Sequence, residues 1–167
     1  MKTTIEKAIA GDKNAFIRFL GQVKVDIYRT AFSYMKTEDA ALEVVQEVTY
    51  RAWRKIHSLR EPAYAKTWII RITINYCNDL LRERKKLVQM DDLSALHTYE
   101  ENFHQLEITY LLEKLSDEER EWIMLKYIHG RSFQELANIY HINENMMKTR
   151  IYKVLGKLRH EARKGED

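Results

Sequence analysis

Over residues 1–88 apolar positions recur every three or four residues, the spacing of one face of an α-helix. Asp12 is placed to cap a helix through Ala15, Phe16, Phe19 and Leu20, and Ile27, Ala31 and Tyr34 extend the same stripe. Thr37, Glu38 and Asp39 open the next helix, with Val45, Val48, Ala52 and Ile56 on one face. His57 to Tyr64 breaks the pattern and holds the lone proline, Pro62, which predicts a loop. A further helix is predicted from about Ala65 to Leu87. Trp68, Ile72, Tyr76 and Leu80 fall one turn apart on its inner face, while Lys66, Arg71, Asn75, Asn78 and Arg82 fall largely elsewhere.

Residues 89–105 show no clear period, are acidic and polar, and read as a linker with room for a short helical turn. From 106 to 167 the helical period returns with clear punctuation. Ser116 followed by Glu119 and Ser132 followed by Glu135 are capping-box patterns, and Gly130 suits the end of the helix between them. Asn143 is a natural N-cap for a last helix with Ile151, Leu155 and Leu158 inward. The fold expected is all-α: two small helical domains, 1–88 and 106–167, joined by an acidic linker.

Composition supports this and narrows the function. The chain has 167 residues, enough for one ordinary domain or two small ones, and few helix breakers. Two small domains have thin cores, so a partner can complete part of an apolar face. The formal net charge is only +3, but its distribution is uneven. Arg82, Arg84, Lys85 and Lys86 cluster mid-chain, and Lys148, Arg150, Lys153, Lys157, Arg159, Arg163 and Lys164 crowd the C-terminal part. Between them lie Asp91, Asp92, Glu100, Glu101 and Glu107 with no Lys or Arg. Charge runs often do no more than solvate helix faces, yet two basic zones around an acidic stretch fit two contacts with a polyanion. The single cysteine, Cys77, excludes an intramolecular disulfide and any multi-cysteine metal site, and its apolar surroundings suggest packing. Met1–Lys13 lacks the apolar core of a signal peptide, and no apolar run reaches membrane-spanning length. A cytoplasmic protein with no direct membrane insertion is expected.

The sharpest local signal is a helix-turn-helix in the C-terminal domain. Ser132–Tyr140 is predicted as a short helix offering Leu136, Ala137 and Ile139 to the core. His141, Ile142 and Asn143 form a turn, and Glu144–Arg159 forms a second helix. In such units the second helix enters the major groove with its N-terminal residues foremost. Glu144, Asn145, Lys148, Thr149 and Arg150 stand there, able to reach base edges or phosphates, and Lys153 and Lys157 suit phosphates further along.

Three stretches, in order, resemble extracytoplasmic-function (ECF) sigma factors of the sigma-70 family. Glu38 to Trp53 resembles their polymerase-binding helix, with Gln46, Glu47, Val48, Ala52 and Trp53 in the pattern and Glu43 where aspartate is usual. Thr67 to Lys85 is similar to the family's Trp-Leu, Ile-x-x-Asn, Asp-x-x-Arg signature, through Trp68, Ile72, Asn75, Asp79 and Arg82. Leu115 to Arg120 and Ser132 to Ala137 resemble the opening and helix-turn-helix of the second domain, with Ser116 in place of proline. Where relatives usually show Thr-Val-Lys-Ser-Arg this chain has Met146, Met147, Lys148, Thr149 and Arg150. The resemblance spans roughly residues 12–160.

The resemblance implies a polymerase-docking surface of Glu43, Gln46, Glu47, Tyr50 and Arg51, gripping a coiled coil of the largest subunits of core RNA polymerase. It implies capture of the opened −10 strand by the loop Leu59–Lys66, with Arg60, Tyr64 and Lys66, aided by Arg71, Asn75 and Arg82. It implies reading of the −35 duplex by the last helix. The linker is expected to thread the polymerase's basic channel, and an anti-sigma factor is an expected partner. No cofactor, metal or small-molecule substrate is expected. Catalysis finds no support, because the chain has no His-x-x-x-His pair, glycine-rich phosphate loop, nucleophile elbow or credible triad. Two non-enzymatic rivals are a helix-turn-helix regulator that works without polymerase, which leaves the motifs of 38–88 idle, and a sigma-like decoy, which need not keep Lys148 and Arg150.

Overall fold

A computed structural model describes residues 2–90 and 111–164. The chain divides into two compact units, Met1–Asp92 and Leu93–Asp167. The described residues are helices and turns.

In the first unit α1 (Lys2–Ile9) buries Ile5 and Ala8 against α2 (Lys13–Met35). Gly11, at φ +98, makes the left-handed turn between them, a conformation L side chains rarely adopt. Asp12 then caps α2, its Oδ1 accepting from the Ala15 N–H at 2.9 Å. This backbone hydrogen bond holds the Asp12 carboxyl below its ordinary range. α2 buries Phe16, Phe19, Val23, Ile27, Ala31 and Met35, whereas Leu20 and Tyr34 are only half-buried. Full burial of a side chain such as Phe19 or Ile27 contributes about 1.5–3 kcal/mol.

α3 (Glu38–Lys55) buries Ala41, Val44, Val48 and Ala52. Val44, not the expected Val45, lies inward, because steps of three and four residues from Ala41 pass through Val44 to Val48. The stretch expected as a loop is tighter. It holds two 3₁₀ turns, Ile56–Ser58 and Pro62–Tyr64, the second opened by Glu61 with Pro62 at its first position.

α4 runs from Ala65 to Met90, so residues 89 and 90 of the expected linker are helical and the rest, 91–105, lies outside the described residues. Its buried face is Ile69, Ile70, Thr73, Ile74, Cys77 and Asn78. The stripe Trp68, Ile72, Tyr76 and Leu80 is half-buried on the flank. A strict four-residue step drifts about 40° per repeat around a helix, so it crosses a face instead of following it. The Thr73 hydroxyl, buried with that face, donates to the Ile69 carbonyl at 2.9 Å.

In the second unit residues 111–113 are helical, and the Arg120 guanidinium reaches back to the Leu112 carbonyl at 3.0 Å, satisfying an end group of that helix. α5 (Asp117–Ile123) opens with a complete Ser116/Glu119 capping box. It passes into a single π turn, Met124–Ile128, and Gly130 at φ +64 closes it. α6 (Phe133–Tyr140) opens with a second complete box from Ser132 and Glu135. It ends at His141, which is left-handed at φ 53. There Ile142 N–H donates to Ala137 O at 3.0 Å and His141 N–H to Asn138 O at 3.4 Å, the pairing of a Schellman cap. α7 (Glu144–Lys164) runs past the expected Arg159. It buries Met147, Ile151 and Val154, with Leu155 and Leu158 half-buried.

Candidate nucleic-acid interface

The outer face of α7 follows from its cap. The Met146 N–H donates to Asn143 Oδ1 at 2.8 Å, which fixes the first turn. Because Met147, Ile151 and Val154 turn into the core, Asn145, Met146, Thr149 and Lys153 are left exposed, and Arg150 is half-buried at the edge. Asn143, Asn145, Met146, Thr149 and Arg150 line a shallow hollow of about 450 Å³. This surface offers amide, hydroxyl and guanidinium groups to a groove.

The other residues expected to meet DNA are placed differently. Glu144 pairs with Lys148 at 2.7 Å, so the two occupy a flank and offset each other's charge. The Lys148 ammonium also lies 5.8 Å from the Phe133 ring, which Lys126 covers at 4.4 Å. Lys157 pairs with Glu119 and joins α7 to α5. Burial pushes the Glu119 carboxyl up, but hydrogen bonds from Lys157 and Ser116 outweigh it and hold the group below its ordinary range. Arg150 lies over the Trp122 ring with its guanidinium carbon 5.6 Å from the centroid.

In the first unit, Glu43, Gln46 and Tyr50 are exposed on α3, and Glu47 and Arg51 are half-buried beside them. Arg51 Nε donates to Glu47 Oε1 at 2.6 Å, and its guanidinium sits 4.2 Å over the Tyr76 ring of α4. Burial pushes the Tyr76 hydroxyl up, and the Glu47 charge adds to this. Arg51 and Tyr76 border an open hollow of about 360 Å³ that also meets Asp79, Leu80, Arg82, Glu83 and Lys86. Thus the five residues expected at a docking surface share one side of α3, joined to α4 through the Arg51–Tyr76 stack.

The residues expected at a strand-capturing surface are spread out. Arg60 is exposed between the two 3₁₀ turns, and Tyr64 is half-buried in the second. Lys66 belongs to the first turn of α4 and pairs with Asp26 of α2 at 2.7 Å. Further along α4, Arg71 is half-buried, Asn75 is exposed, and Arg82 is exposed with Asp79 at 3.3 Å. Asn78, placed on the polar side by its residue type, is buried at 3% exposure.

Sequence reasoning did not find Trp122, Phe133 or Asp26 as supports of these surfaces. Trp122 also meets Tyr140 edge-on at 6.1 Å, and the Tyr140 hydroxyl donates to the buried carboxylate of Glu121. An aromatic spaced to reach a later helix leaves no local mark, so only the packed structure reveals it. Cys77 is buried, and burial pushes its thiol up to about 12. Among the described residues no cluster of His, Cys, Asp and Glu could hold a metal ion, and no helix is long and apolar enough to cross a membrane.

Comparison with known proteins adds a family context. Residues 19–87 match the family model of sigma-70 region 2, and residues 105–158 match that of sigma-70 region 4. The RNA polymerase sigma factor SigV of Bacillus subtilis (strain 168) is 32% identical over 139 residues, covering 81% of this chain and 84% of that protein. The ECF RNA polymerase sigma factor SigW of the same organism is 28% identical over 181 residues, covering 98% and 97%. Among solved structures, CnrH in complex with the cytosolic domain of CnrY is similar in fold, with a TM-score of 0.65 at 23% identity over 95% of this chain and 94% of that one. The sigma factor RpoE bound to the anti-sigma factor NepR from Bartonella quintana gives 0.59 at 25% identity over 89% and 96%.

Proposed function

Because the chain belongs to the ECF class of sigma-70 RNA polymerase sigma factors, we propose that it docks on core RNA polymerase through α3 and reads promoter DNA at two separate surfaces. The observation that carries the reading of the second unit is the outer face of α7. Its buried side is satisfied by Met147, Ile151 and Val154, and its other side presents Asn145, Thr149, Arg150 and Lys153 outward from a capped helix-turn-helix. Such a face fits the major groove of the −35 duplex. Loss of one base-specific contact there weakens binding by about 1–3 kcal/mol.

On the first unit, Glu43, Gln46, Glu47, Tyr50 and Arg51 form the docking surface for the largest polymerase subunits. Arg60, Tyr64, Lys66, Arg71, Asn75 and Arg82 serve the −10 element. A base leaving the stack needs an aromatic face or pocket and its phosphates need cations, which this group supplies. Lys66 gives its charge to Asp26, so its part is to fix the start of α4 as much as to meet phosphate. Two tethered sites raise promoter affinity through effective concentration, with no need for either to bind tightly alone. The acidic residues of 91–107 suit a basic channel of the polymerase.

Action on polymerase and chromosomal DNA places the protein in the cytoplasm. A solved relative, RpoE, is held by an anti-sigma factor, and the same class of partner is inferred for this chain. The test is run-off transcription with bacterial core polymerase over a library of promoter fragments. Promoter-dependent transcripts are expected. Failure to bind polymerase, with the protein free of any inhibitor, would overturn the reading in favour of a regulator or decoy.

A further inference from the structure

Met146 and Met147 are neighbours in the first turn of α7 with opposite fates. Met147 is fully buried, while Met146 is 45% exposed. Met146 therefore contributes little to the core, yet the backbone that carries it is held in the first turn because its N–H is tied to the Asn143 side chain. It shares the outer hollow with Asn145, Thr149 and Arg150, all polar. A large apolar side chain among groups suited to hydrogen bonding calls for an apolar counterpart in the groove. In the major groove that counterpart is the C5-methyl group of thymine.

We propose that Met146 is a specificity-determining residue that selects a thymine in the upstream duplex by covering its 5-methyl group. This rests on the reading of α7 as the duplex-reading helix. The thioether is unbranched and polarizable, so it can follow the methyl group without a rigid pocket. A cytosine at the same place presents an exocyclic amine, and covering that donor with an apolar chain leaves it without a partner. Discrimination therefore has an attractive part and a repulsive part.

The experiment uses holoenzyme reconstituted from bacterial core polymerase and the full chain, on a promoter selected from a library. Each thymine of the upstream element is replaced in turn by deoxyuridine, which lacks only the methyl group. At one position the wild-type protein is expected to bind about fourfold more weakly, the loss of one buried methyl group. Met146→Ala is expected to lose the same factor on the thymine duplex and to ignore the deoxyuridine change. Met146→Leu is expected to keep the preference. Unchanged thermal melting is expected for both variants, since the side chain is outside the core.

Indifference of the wild type to every deoxyuridine overturns the proposal. So does a methyl preference that survives in Met146→Ala. Arg150→Ala, run in parallel, separates the two levels. If it weakens promoter binding while deoxyuridine has no effect, only the role of Met146 fails. If it binds as tightly as the wild type, the reading of α7 fails and the role of Met146 with it.

Discussion

The guanidinium of Arg150 rests 5.6 Å above the ring of Trp122, so a residue of the groove-facing helix is supported by an aromatic side chain of α5. This contact gives Arg150 two tasks. Stacking of a cation on an aromatic face contributes about 0.5–1 kcal/mol at an exposed site. Arg150→Ala should therefore lower stability slightly and weaken promoter binding by about 1–3 kcal/mol. Arg150→Lys keeps the charge but lacks the planar stack, and should fall between the two. Fluorescence anisotropy on labelled duplex and thermal melting measure both effects.

The capping carboxylates make the second unit sensitive to acid. The hydrogen bond from the Ser132 N–H is the largest influence on Glu135 and holds its carboxyl below the ordinary range. Glu119 is also held low. A group depressed in the folded state stabilises it above the unfolded pKa, roughly 4.3 for glutamate. That contribution fades as pH falls through the lower folded value. Melting temperature should thus be flat near neutrality on account of these groups and fall below about pH 4.3. Glu135→Gln, which retains an acceptor for the box, should show a shallower fall.

The turn between α6 and α7 stores strain at one residue. His141 sits at φ 53 as the C′ residue of a Schellman cap, a place favouring glycine. His141→Gly should stabilise the chain by about 0.5–1 kcal/mol, read as a higher melting temperature. A lower melting temperature would show that the imidazole contributes more than the backbone strain removes.

Cys77 should be inert while the protein is folded. Its thiol is buried and pushed up to about 12, so almost no thiolate exists at neutral pH. Iodoacetamide at pH 8 should leave the native protein unmodified and label it fully in denaturant, as read by mass spectrometry. Rapid labelling of the native protein would mean that the α4 core opens readily.

What the sequence disclosed depended on how local each signal was. Asp12, Ser116, Ser132 and Asn143 cap helices through groups a few residues away, so their roles could be read directly. The inner face of α4 could not be read in the same way. From Trp68 to Cys77 apolar residues surround most of that helix, and Ile69, Ile70, Ile74 and Cys77 were chosen for burial by the packing partners. α1, only eight residues long, was not singled out within the helical reading of residues 1–88. For the candidate surfaces, residue types on α3 and α7 were visible, but their pairing was not. Lys66 with Asp26 and Lys157 with Glu119 join residues far apart in sequence. Only folding shows that these two cations are already engaged.

The division of labour between the two units is tested most directly by comparing Glu47→Lys with Arg150→Ala in one reconstituted transcription assay. Glu47→Lys replaces the carboxylate that Arg51 holds at 2.6 Å with a cation on the α3 surface. It should reduce core polymerase binding by at least about tenfold while leaving the fold within about 1 kcal/mol. Arg150→Ala should form holoenzyme normally and initiate more weakly at the promoter, by about the 1–3 kcal/mol of one lost contact. If both variants lose the same step to the same degree, the separation of docking from duplex reading is contradicted.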